Sequence, residues 1–80
     1  MNTRKAIVNR IKELCKERKM NIHALSLISA IPPTTLWNII NGKSKNPGIV
    51  TIKILCDGLD ITLAEFFDTE EFNSLEQEIR

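Results

Sequence analysis

Apolar residues recur along this chain at helical spacing, and nowhere do they alternate as in a strand. Ile7, Ile11 and Leu14 stand at i, i+4 and i+7, with Lys or Arg over much of the intervening surface, which predicts a helix over residues 3–18. A second window, residues 22–29, follows Asn21, whose side chain suits an N-cap. Ala30, Ile31 and Pro32 form a corner. The third window, residues 33–41, opens on a proline that the first helical turn tolerates and closes at Gly42. Its apolar stripe is Leu36, Ile39 and Ile40. A fourth helix is predicted from Asn46-Pro47, with Asn46 as its cap, through Ile49, Ile52, Leu55, Cys56 and Leu59, with Gly58 as a termination signal. Thr62-Leu63-Ala64-Glu65 is a capping box opening a fifth helix that buries Phe66 and Phe67. In the tail, Phe72, Leu75 and Ile79 at i, i+3 and i+7 predict a short amphipathic helix over residues 70–80. The expected architecture is all-α: a compact domain of five helices over residues 1–68, with an amphipathic tail over 69–80 that leaves room for a sixth.

Two short helices joined by a corner of three or four residues make a helix-turn-helix, here spanning about residues 21–42. The outer face of its second helix carries Thr34, Trp37, Asn38 and Asn41. A merely solvated face would carry Lys and Glu. This one has no charge, and its amides and hydroxyls can both donate to and accept from base edges. Lys43 and Lys45 follow at once, placed to meet phosphates.

Eighty residues make one small domain, whose stability rests on good helix packing or on dimerisation. No apolar run is long enough to cross a bilayer, and the basic N-terminal stretch lacks a continuous apolar signal core, so the expected compartment is the cytoplasm. Cys15 and Cys56 form no metal or redox motif and read as small buried hydrophobes. His23 shares no ligand spacing with either cysteine. With a single His and no Gly-rich phosphate loop, the sequence points to no enzyme, no cofactor and no small-molecule ligand. The net charge of +1 conceals a division: residues 1–53 hold ten Lys/Arg and two acids, residues 54–80 one Arg and eight acids. A basic half that contains the motif and an acidic half without it fit a DNA-facing and a DNA-averse side.

The motif resembles the Cro/lambda-repressor-like, or XRE-type, helix-turn-helix family over about residues 10–67. The resemblance is carried by Arg10-Ile11-Lys12-Glu13-Leu14, Leu25, Leu36 with Ile39, Gly42-Lys43, Asn46-Pro47, and Leu59 with Ile61 before Glu65-Phe66-Phe67. It implies a lambda-repressor-like fold and a transcriptional regulator of prokaryotic or phage type. It also shows departures. The family usually has Gln where Ile22 stands, a polar contact that His23 would replace only in part. It often has Gly at the corner, where Ala30 would cost about 1 kcal/mol in a left-handed conformation. It often opens the recognition helix with a long polar reader, where Pro33 has no donor. Many members pair an Arg with a Glu at the positions of Cys15 and Ile40. Both charges are absent together, which avoids stranding one of them in the interior.

These readings assign Pro33, Thr34, Thr35, Trp37 and Asn38 to bases, and His23, Asn41, Lys43, Ser44 and Lys45 to phosphates. Trp37 has an equal alternative, closing the edge of the core or meeting a second subunit. The expected partner is double-stranded DNA, bound by a homodimer through Val50, Ile54, Phe72, Leu75 and Ile79, with no appended sensor domain. The alternative is an antitoxin-like or adaptor module that uses the same fold to bind a protein.

Overall fold

Side chains at the helix ends set most of the boundaries in the computed structural model, which describes residues 2–44 and 46–79. Helix α1 (Thr3–Glu17) is capped by the Asn2 side chain, which accepts from Lys5 N. Helix α2 (Ile22–Ser29) begins as expected, with Asn21 accepting from Ala24 N at 2.8 Å. Helix α3 (Pro33–Ile40) has proline at both Ncap and N1 and no side-chain cap. Helix α5 (Leu63–Phe67) carries the full capping box between Thr62 and Glu65. The hydrogen bonds that the Glu65 carboxylate accepts from Thr62 hold its pKa below the usual value. Among the described residues there is no strand, and no helix is long and apolar enough to cross a membrane.

Two expectations fail at boundaries. Helix α4 (Ile49–Leu59) starts after Gly48 and has no side-chain cap, so Asn46 and Pro47 belong to the preceding loop. The tail is not a helix through residue 80. Helix α6 (Glu70–Asn73) stops after one turn, where the Ser74 hydroxyl donates to the Glu70 carbonyl. Asn73 and Ser74 compete for backbone partners, and acidic residues 70, 71 and 78 have no cation one turn away to support a longer helix. The Phe72, Leu75, Ile79 stripe therefore never forms. Phe72 instead stacks edge-on against Phe67, centroids 4.9 Å apart, within its own subunit. Ile79 lies exposed.

One device ends α1, α2 and α4 alike. Each closes on a left-handed residue that is not glycine: Lys19, Ala30 and Asp60. At each end the next amide reaches back five residues, from Met20 to Cys15 O, Ile31 to Ser26 O and Ile61 to Cys56 O. That is the Schellman arrangement, and it turns an apolar residue inward just past the helix. Ile31 is buried, while Met20 and Ile61 pack on the core. The core itself gathers Ile11, Leu25, Leu36, Leu55, Cys56 and Phe66, all essentially inaccessible. Burial raises the pKa of the Cys15 and Cys56 thiols above the usual value.

Gly58 is not a terminator. It lies inside α4, where a Cβ would come 3.0 Å from both Cα and Cβ of Ser29. Its lack of a side chain lets α4 seat directly against the end of α2, the pair of helices with the most extensive contact. Arg10 fixes the far side. Its Nε and Nη2 donate to the carbonyls of Phe66 (2.7 Å) and Glu65 (2.8 Å) at the end of α5, and its Nη1 pairs with Glu13.

Two substitutions should act against helix propensity. Gly58→Ala raises intrinsic propensity but forces a methyl into Ser29, so urea denaturation should show a loss of about 1–3 kcal/mol. Ala30→Gly should stabilise by about 1 kcal/mol, because the left-handed corner no longer strains a Cβ.

Candidate nucleic-acid interface

The corner decides which face of α3 is presented. With Ile31 turned into the core, Leu36 and Ile39 follow it inward and Ile40 packs at the edge. Pro33, Thr34 and Thr35 are then exposed at the start of the helix, and Asn38 is half-buried one turn later. Pro33 offers no N–H. The Thr34 and Thr35 hydroxyls and the Asn38 amide are the hydrogen-bonding side chains of this surface.

The end of α3 is closed by its own loop. Asn41 N donates to Trp37 O at 2.8 Å, and Ser44 N donates to Asn38 O at 3.0 Å. Between them Gly42 adopts φ +80°, a conformation that side chains avoid. Lys43 is consequently thrust into solvent. Lys45 lies outside the described residues.

A basic contribution from α1 was not among the expected site residues. The Arg4 guanidinium lies over Gly42, so close that a Cβ there would meet its Nη1 at 2.9 Å. Arg4, Lys5 and Lys12 share a notch of about 300 Å³ with Asn41 and Gly42. Sequence reasoning saw these residues only as part of a basic half-chain, because helical spacing does not say which turn of α1 meets the loop after α3. Two other basic residues are already engaged. Arg10 is tied to α5, and Lys53 pairs with Asp57 on α4.

His23 and Trp37 come together elsewhere. Both line a groove between α1, the start of α2 and α3, with Met20 and Ile22. Trp37 is 46% exposed, a large aromatic surface open to solvent. Cys15 lies deep in that groove and Ile40 packs on the same core cluster, so the two positions that lack the family's charge pair are both apolar and both packed. No three metal-ligating side chains converge among the described residues.

The geometry is that of a helix-turn-helix, and the comparison with protein families agrees: the profile of Cro/C1-type helix-turn-helix DNA-binding domains matches residues 10–71. The chain belongs to that family, and double-stranded DNA is the ligand of such a domain. Comparison with curated proteins and with solved structures found no match.

Gly42→Ala should test how the loop is held. The left-handed backbone and the Arg4 side chain both resist a methyl, so a loss of about 1–2 kcal/mol in thermal or urea unfolding is expected. A neutral result would mean that the loop and Arg4 move aside freely.

Proposed function

We propose that the chain is a sequence-specific transcriptional repressor that places α3 in the major groove. The observation that carries this reading is the uncharged, hydrogen-bonding face of α3, held rigidly by a buried opposite face and bordered by free cations. Thr34, Thr35 and Asn38 read base edges. Asn38 is the side chain able to bond an adenine in bidentate fashion. Pro33 offers apolar contact to a thymine methyl, and Trp37 covers sugar or base at the flank. Lys43, Ser44, Lys45 and Asn41 hold one stretch of phosphates, joined by Arg4 and Lys5 from α1, while His23 meets the backbone from the start of α2.

Binding is by a two-fold dimer, which sets two recognition helices ~34 Å apart on one face of the duplex. Val50 and Ile54 support this. They stand one turn apart on α4 and are 69% and 39% exposed, an apolar pair without cover in the single subunit. Leu75 and Ile79 of the tail are assigned to the same interface, and Ile79 is exposed. Phe72 is left out of it, since its ring packs on Phe66 and Phe67.

Fluorescence anisotropy with a labelled duplex, selected from random sequence, tests the DNA contacts. Affinity should fall steeply between low and moderate salt. Lys43→Ala should weaken cognate and random DNA alike and reduce the salt slope by about 1. Asn38→Ala should cost about 1–3 kcal/mol on the cognate site while sparing random DNA. Equal losses on both duplexes would remove Asn38 from the base readers.

For the dimer, the double variant Val50→Asp/Ile54→Asp should sediment as a folded monomer and lose the full-site complex while retaining weak half-site binding. A parent chain that is monomeric both free and on DNA would rule the dimer out.

A further inference from the structure

An open groove of about 450 Å³ runs between α1 and the start of α2 and is walled by the ring of Trp37. Its surface is mainly apolar: Met20, Ile22 and Trp37, with Cys15 at the bottom. Lys12 and Lys16, one turn apart on α1, form one edge. Both are exposed, and neither joins an ion pair among the described residues. A slot with a flat aromatic wall and two free cations on one side complements one ligand chemistry. We propose that this groove binds a small aromatic anion, an aryl carboxylate or sulfonate, and that the bound anion opposes DNA binding.

The two ends of such a ligand are treated differently. Its ring gains by leaving water for the surfaces of Trp37, Met20 and Ile22, where offset stacking on the indole is available. Its acid group stays at the mouth beside Lys12 and Lys16, where partial solvation avoids the cost of burying a charge. Shape and charge are both needed, because the groove is too open for apolar contact alone to hold a ring firmly. The consequence for DNA follows from position. Trp37 stands on α3 and His23 at the start of α2, so an occupant brings bulk and negative charge beside both elements of the motif. By linkage, a ligand that lowers affinity for DNA is itself expelled by DNA to the same degree. This second half rests on the DNA reading above, while binding to the groove does not.

Trp37 is the only tryptophan, which makes the test direct. The full chain is titrated with anilinonaphthalene sulfonate, and energy transfer from Trp37 to the bound dye is followed. Saturable transfer is expected with one dye per chain. The neutral N-phenylnaphthylamine, which keeps the rings and lacks the sulfonate, should bind roughly five- to tenfold more weakly, as should the sulfonate to Lys12→Ala/Lys16→Ala. Ile22→Glu, which sets a like charge in the slot, should abolish transfer while circular dichroism reports an intact fold. Added duplex should then displace the dye. Equal binding of charged and neutral dyes, or transfer that survives Ile22→Glu, overturns the site. Dye and duplex bound together without mutual effect overturn the opposition to DNA. Failure of the chain to bind any duplex would sink the DNA reading and leave the dye measurements standing.

Discussion

The structure hangs on three consecutive residues, Ser29, Ala30 and Ile31. Ser29 supplies the surface on which Gly58 rests, with no room for a Cβ between them. Ala30 turns the chain in a left-handed conformation that costs about 1 kcal/mol and is retained all the same. Ile31 is thereby driven into the core beside Leu25 and Leu36. Loosen any of these and α3 loses its bearing on α2, and with it the direction in which Thr34, Thr35 and Asn38 point. The strain is offset locally, because the same turn satisfies the Leu27 and Ser26 carbonyls that a helix end would leave open.

Charge is distributed in the same spirit. Of the basic residues in the first half, Arg10 serves the fold, clasping the carbonyls at the end of α5, and Lys53 is taken by Asp57. Arg4, Lys5, Lys12, Lys16 and Lys43 remain toward solvent, disposed around the two ends of the motif. Acidic side chains of the tail lie back across α1: Glu78 accepts from the Thr3 hydroxyl at 2.6 Å and Glu71 from Asn9. The near-neutral total thus leaves cations beside α3 while the acids of the tail fold back along α1, Glu78 reaching its first turn beside Arg4.

Two of the departures from the family pattern come together in three dimensions. Cys15 and Ile22, where a charged and a polar residue are usual, both line the groove beside Trp37. An apolar slot has formed next to the recognition helix, and it is a place where this chain differs from its family in chemistry without differing in fold.

The sequence by itself determined the first three helices, the corner and the ends of α2, α3 and α5, because these depend on neighbours within one turn: Asn21 on Ala24, Thr62 with Glu65, Pro33 at the start of α3 and Gly42 after its end; the cap read at Asn46 failed. Periodicity likewise gave the buried face of α3. What it misread was settled by residues far along the chain. Gly58 looked like a stop signal because glycine often ends helices, but its role is to admit Ser29, twenty-nine positions earlier. The tail's apolar spacing suggested a helix, but the aromatic cluster captured Phe72, and beyond it the chain runs back along α1, where Glu78 accepts from Thr3. Arg4 was an anonymous cation until the packing of α1 laid it over Gly42. Local hydrogen bonding is written in short-range order. Close approach between helices, and the grooves it opens, exists only once the whole chain has packed.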